Sequence, residues 1–360
     1  MPQSEGNQFW LRSLLASPTL AELSSGRDNN FNLMRFFAAS LVIVHHARMP
    51  VTEILFQFTG HLESNGSVAV LIFFVISGFL VTQSFTRNSL GGFFAARALR
   101  IFPALWVAVP FTIIVSSFAS AVPWGRYLTH PQTLKYWLHN SFVWDLEYSL
   151  PGAFLHVPMA REVNGSLWTL PAELRMYWFC ALLGILGLYA LRPAFNALFL
   201  AIVLIGCTVK PAALPLVNNI NVAQWEFAFL IGMFCFVNRE KVRLNLPVAV
   251  LLFLSTLLID DPDMGHLYIV PAFAYMTLCL SLHPALFFRP FTRLGDYSYG
   301  LYIFAFPLQQ QMYFYFPTLH SAPRLLITYP IILAVAIVSW HLIEEPALRL
   351  KKRFRPVYSA

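Results

Sequence analysis

Charge is what this chain has least of. Asp, Glu, Lys and Arg make up only 11% of its 360 residues, against about 25% in an ordinary soluble domain. That scarcity, with 58% hydrophobic residues and a mean hydropathy of +0.61, excludes a soluble globular fold. Cysteine is nearly absent too. Cys180, Cys207, Cys235 and Cys279 fall within or at the edge of apolar segments without metal-ligand spacing, so they read as small packing residues rather than disulfides or a metal site. Residues 1–30 lack the charged start, apolar core and cleavage site of a signal peptide. They read as a polar cytoplasmic lead with a short surface helix around Phe9 to Leu23. There is no clear internal repeat, no low-complexity linker and no appended soluble domain. The net charge of +7 is scattered rather than gathered into one stripe, which argues against nucleic-acid binding.

Apolar and aromatic residues are what the chain has in quantity. Its 34 Phe, 14 Tyr and 9 Trp suit helices packed in lipid with aromatic belts at the interfaces. The pattern predicts an all-α polytopic membrane protein of about ten spans. They fall near 31–48, 67–84, 101–118, 167–190, 194–208, 222–237, 246–260, 266–282, 294–316 and 325–343, several of them short for a bilayer that needs ~20 residues. With the N-terminus inside, Arg87, Arg97, Arg100, Arg192, Arg239, Lys241, Arg243, Arg289 and Arg293 collect on the inner side. The basic tail 344–360 joins them, while the acidic trio Asp260, Asp261 and Asp263 falls outside. This asymmetry places both termini in the cytoplasm and the chain in the cell (inner or plasma) membrane. The long external stretch 119–166 carries Trp124, Tyr127, Tyr136, Trp137, Trp144, Asp145 and Tyr148. It is either a lid or sugar-stacking surface, or an interfacial helix around 133–145 that packs on the bundle.

Against this apolar background the ionisable residues inside the spans indicate function. Arg35 and His46 lie in FNLMRFFAASLVIVHHA, residues 31–47. Eleven helical steps bring them within about 20° of one face and roughly 16 Å apart along the axis. His45 points about 100° away and reads as structural. Arg97 and Arg100, three residues apart in FFAARALRIFP, share a helix face and can clamp a phosphate. Spacing alone favours simple positive-inside anchoring. With Arg35 on the same side, a site for a phosphorylated cytoplasmic donor becomes plausible. In GSLWTLPAELRMYWF, residues 165–179, Pro171 is expected to break or kink the helix. Glu173 is placed at a depth comparable to His46, where it would orient and stabilise an imidazole. Its alternative is an ion pair with Arg175, which two-residue spacing disfavours.

These segments resemble the integral-membrane acyltransferase 3 family. The resemblance runs from about residue 28 to 353: Arg35 and His46 in the first span, FFVISGFL (73–80), the Arg-x-x-Arg of Arg97 and Arg100, Gly165 to Tyr177 with Glu173 at the acidic position, LGDYSYGLYIFAFP (294–307) and HLIEEPALRLKKRF (341–354). Many members have a histidine where this chain has Ala305, so no role is carried over there. Some also fuse an esterase-like domain after the last span, which this sequence lacks, so it is expected to act alone or with a separate partner.

The resemblance implies a membrane O-acyltransferase with acyl-CoA, usually acetyl-CoA, as donor substrate and no permanently bound cofactor or metal. The donor phosphates would meet Arg97, Arg100 and Arg35. His46 would be the general base, or carry the acyl group, on the way to a carbohydrate or lipid-linked glycan acceptor. The competing reading is a transporter or flippase with His46 and Glu173 as a proton relay. The absence of a two-fold repeat weakens it.

Overall fold

The computed structural model of the protein describes residues 16–26, 28–49, 64–208, 220–259 and 262–354, and among them the fold is helical, with two isolated β-bridges and no strand. A helix lies under each of the segments expected to span: α2 (Phe31–His46), α3 (Asn65–Arg87), α4 (Leu90–Ser117), α7 (Leu170–Ile185), α8 (Arg192–Thr208), α9 (Ile220–Val237), α10 (Leu246–Ser255), α11 (Pro262–Leu282), α12 (Ser298–Tyr315) and α13 (Ser321–Ser339). Short helices complete the set: α1 (Leu20–Ser24), α5 (Trp124–Thr129), α6 (Pro131–Phe142) and α14 (Glu345–Arg349). Among the described residues, three helical runs are long and apolar enough, by length and composition, to cross a membrane: Asn65–Arg87, Leu90–Ser117 and Ser321–Phe354. Most of the surface helix expected from Phe9, and the side chains of the acidic trio, lie outside the described residues. What is described at the N-terminus is α1, opened by a Thr19–Glu22 capping box.

Several boundaries differ from the sequence reading for local reasons. The third segment begins at Leu90, because Ser89 caps the helix through the Gly92 N–H (3.2 Å). Arg97 and Arg100 therefore belong to the same helix as the apolar run, which continues through Pro103 and Pro110. The fourth helix is not broken at Pro171. A 3₁₀ turn over Gly165–Thr169 precedes α7, and Pro171 sits in its first turn, where a missing N–H has no partner to lose. That helix stops at Ile185 because Gly187 adopts φ +73° and Leu188 N–H reaches back to Leu183 O (3.1 Å), a Schellman closure. After α13 the chain stays helical through a π-turn at Trp340–Glu344 and α14 to a 3₁₀ turn ending at Phe354, so the basic tail begins as structure.

The described residues form two compact units, drawn from 1–38, 53–87 and 175–294, and from 39–52, 88–174 and 295–360. In the first, α3 and α9 touch backbone to backbone. A Cβ at Gly78 would overlap the Phe229 carbonyl and one at Gly232 the Val75 carbonyl, the close approach that small residues permit between apolar helices. In the second unit α12 is buried without a break from Ser298 to Pro307 apart from the half-buried Tyr299. Gly300 lets it lie against Ala336 of α13, whose Cα would stand 3.0 Å from an added Cβ. Pro307 cannot donate to the Ile303 carbonyl one turn back. Asn164 Nδ2 supplies that hydrogen bond instead, at 2.9 Å, so no buried carbonyl is abandoned.

Candidate active site

His46 closes α2, where the Ala47 N–H still reaches Ile43 O (2.9 Å) and further donors reach the last carbonyls. Two of them come from α12. Gln309 Nε2 donates to Ile43 O (2.8 Å) and Tyr313 Oη to His46 O (3.3 Å). Phe306, on the same stripe of α12, sets its ring edge-on to the His46 imidazole with centroids 5.0 Å apart. Positions 306, 309 and 313 recur at helical spacing, so one face of α12 holds the end of α2. Beyond His46 the chain turns at Arg48 (φ 52°), whose carbonyl accepts from Ser321 Oγ (3.0 Å). His45 is nearer to His46 than the helical wheel implied. Their rings lie 5.3 Å apart, and His45 Nδ1 is buried without a hydrogen bond.

Glu173 stands in the first turn of α7. Its carboxylate is within electrostatic reach of the Tyr302 phenol, which shares a hydrogen bond with Thr169 Oγ1 (2.8 Å). Tyr302 and Phe306 are one turn apart on α12, so that helix carries neighbours of both His46 and Glu173. Arg175 is not a partner for Glu173 by charge pairing. Its Nε and Nη2 both bond Glu226 Oε1, at 3.0 and 2.9 Å. Around the same part of α12, Gln310 donates to Met159 O (2.8 Å) and Glu162 O (2.6 Å). Gly165 packs under Phe306. The loop before α7 is thereby fixed on the helix that holds His46.

Arg100 is more than a surface anchor. Its Nη2 bonds Asp296 Oδ2 at 2.7 Å, and its Nη1 lies 3.6 Å from Glu344 Oε2. The ring of Tyr299 lies 5.7 Å below the guanidinium, at a distance suited to a cation–π contact. Ser298 and Ser339 hold the two carboxylates in turn. Glu344 turns inward at the π-turn that ends α13, an irregularity often found where a helix serves a site. Arg97 is half-buried one turn earlier on α4, and Arg35 is half-buried on α2, about three turns before His46. Asp296 and Glu344 were missed as individual residues in the sequence. The only signal for them was that each sits inside a quoted motif.

Among the described residues, His139, Asp145 and Glu147 approach one another closely enough to resemble a metal trio. The Lys135 ammonium pairs with Glu147, and His139 Nδ1 contacts the Asp145 carbonyl, so these groups satisfy each other. A pocket of about 450 Å³ in the other unit, between Phe85, Tyr189, Arg192 and Arg239, holds none of the candidate catalytic or donor-binding residues.

Comparison with known proteins is decisive for the family. No solved structure matches the chain. An O-acetyl transferase of Shigella phage Sf6 is 29% identical over 348 residues, covering 89% of this chain and 96% of that protein. Nodulation protein 10 of Rhizobium leguminosarum bv. viciae is 29% identical over 368, covering 92% and 96%. The acyltransferase-domain model of the acyltransferase 3 family matches residues 28–344. The chain belongs to that family and is an acyltransferase.

Proposed function

We propose that this protein is a multi-pass enzyme of the cell membrane, with ten spans and both termini in the cytoplasm. It moves an acyl group, acetyl in the first instance, from cytoplasmic acyl-CoA to a hydroxyl of an extracytoplasmic or lipid-linked glycan. The observation that carries the mechanism is the seating of His46: its helix end is held by Gln309 and Tyr313 and its ring by Phe306. A base must be fixed within hydrogen-bond reach of the proton it takes.

In the reaction His46 removes the proton from the acceptor hydroxyl as its oxygen attacks the thioester carbonyl. The C–S bond breaks as the new C–O ester bond forms, and the departing thiolate recovers the proton from the imidazolium. Glu173 stabilises that imidazolium, directly or through one water, an assignment supported by Tyr302 beside Glu173 and Phe306 beside His46 lying one turn apart on α12. Arg97 and Arg100 meet the donor phosphates on α4, and Arg35 is assigned a further phosphate contact. Arg100 also pairs with Asp296 and Glu344, so its replacement would change the fold of this junction as well as donor binding. The test is whether purified protein turns over acetyl-CoA with a glycan acceptor, and whether His46→Ala stops it. Acyl transfer at the wild-type rate in His46→Ala overturns the mechanism. Failure of the wild type to bind or hydrolyse acyl-CoA overturns the donor assignment.

A further inference from the structure

Helix α6 is amphipathic in an inverted sense. At 100° per residue its side chains fall into three stripes. Thr133, Tyr136 and Asn140 are buried against the protein. Leu134, Trp137, Leu138 and Phe142 point outward, with Phe142 62% exposed. Gln132, Lys135 and His139 form a polar edge, closed by Ser149, Glu147 and the Asp145 carbonyl of the following segment. Polar groups thus face protein and apolar groups face away, the reverse of a helix lying on a water-soluble core.

The partners along α4 give the direction of this arm. As the chain advances, Trp124 meets Phe118 (6.2 Å between rings) and Tyr127 Oη bonds Ile113 O (3.0 Å). Tyr136 then sits near Thr112, and Ser141 O accepts from Trp106 Nε1 (3.0 Å). The contacts step back along α4 from 118 to 106, about 18 Å at 1.5 Å per residue. Both ends of α6 are satisfied from within. His130 caps the Gln132 N–H, Val143 turns left-handed, Trp144 N–H returns to His139 O, and Asn140 exchanges hydrogen bonds with Glu147. Backbone among acyl chains requires such closure.

We propose that α5 and α6 form a re-entrant arm that dips into the bilayer beside α4, its Leu134–Trp137–Leu138–Phe142 face covered by phospholipid acyl chains. Continuity identifies the occupant. On α4, a helix long and apolar enough to cross a membrane, Trp106, Val107, Ile114 and Phe118 are exposed, and Trp106 is bonded to α6 itself. The lipid-facing surface of α4 therefore runs onto the outer face of α6 without a polar break. Trp124, at the start of the arm beside Phe118, occupies the place of an interfacial aromatic anchor. On this reading the exposed tryptophans of the 119–166 segment face lipid rather than sugar.

Nitroxide labels on Leu134→Cys, Leu138→Cys and Phe142→Cys in the full chain reconstituted in phosphatidylcholine vesicles test this, with unlabelled-site protein as the blank. Oxygen should relax all three labels more than an aqueous nickel chelate does, and depth should increase from Leu134 to Phe142. Greater access to the nickel chelate overturns the proposal in favour of an aqueous lid. Equal depth at the three sites overturns the re-entrant direction, and exclusion of both reagents replaces lipid by a protein partner. Where a cysteine variant misfolds, Trp137→Phe serves instead. It should remove part of the tryptophan fluorescence quenched by dibrominated lipid, and unchanged quenching overturns the proposal.

Discussion

Replacing Arg100 by leucine should unseat the junction between the Arg-x-x-Arg segment, the start of α12 and the end of α13. The guanidinium lies 2.7 Å from Asp296 and 3.6 Å from Glu344, and the three side chains are only 18%, 9% and 2% exposed. At an effective dielectric near 20 a unit pair about 4 Å apart interacts by roughly 4 kcal/mol. Desolvation has consumed part of that gain, so the pair adds little beyond an apolar replacement of both partners. Removal of one partner is different. It leaves two buried carboxylates facing each other and typically destabilises by about 3–5 kcal/mol. We expect Arg100→Leu to lose stability in that range, measured by equilibrium unfolding in mixed micelles. Arg100→Leu combined with Glu344→Gln should recover part of the loss, because one uncompensated charge is then gone. Arg100→Lys should fall between, since one ammonium cannot reproduce a fork to two acceptors. A loss under about 1 kcal/mol for Arg100→Leu, or full additivity in the double variant, would refute the buried-pair argument and return Arg100 to topology alone.

His46→Ala should abolish acyl transfer with expression and membrane insertion intact, while His45→Ala is far milder; an active His46→Ala in a radiolabelled acetyl-transfer assay removes the base. Arg97→Ala should raise the apparent constant for acyl-CoA roughly ten- to hundredfold, the loss of a charge-assisted hydrogen bond of about 1.5–3 kcal/mol; lost turnover with donor affinity unchanged means that Arg97 only anchors. Glu173→Gln should keep the fold and lower kcat, and an unchanged kcat excludes stabilisation of an imidazolium. Gln309→Leu removes the donor to Ile43 O and should lower kcat with little change in the KM for donor; a KM effect alone would place Gln309 in donor binding instead.

How far the sequence carried depended on the range of the interaction. Hydropathy and helical spacing located a helix beneath every expected segment and put Arg35 and His46 on one helix, because those signals are local. Helix ends were read less well. Ser89 as a cap and Pro171 in a first turn are local chemistry too, but apolar runs do not mark where a cap falls, and a proline can open a helix as well as break one. The partners of Arg100 were beyond reach, since Asp296 and Glu344 are remote in the chain and the inward turn of Glu344 depends on the π-turn at Trp340–Glu344. The role of Gln309 was hidden for the same reason. Nothing in a glutamine within an apolar helix tells which carbonyl it will satisfy. The 119–166 segment was legible as aromatic, but not which aromatics it buries: Tyr127 and Tyr136 turn in, Trp137 and Trp144 turn out.

Helix α12 reaches both the Arg100 cluster and the end of α2. Its first turn carries Tyr299 against Arg100, with Asp296 just before it, and its later turns carry Phe306, Gln309 and Tyr313 against the end of α2. From position 299 to 309 is about 15 Å at 1.5 Å per residue. On α2 itself, Arg35 and His46 are roughly 16 Å apart by the same rise. Two helices therefore separate a guanidinium from the imidazole end by nearly the same distance. A small acyl phosphate cannot be gripped by its phosphate at one end and react at the other. A donor that carries its phosphates at one end and its thioester at the other, joined by a long flexible arm, fits that ruler. A coenzyme A thioester, the donor that the family resemblance implies, is a molecule of that shape.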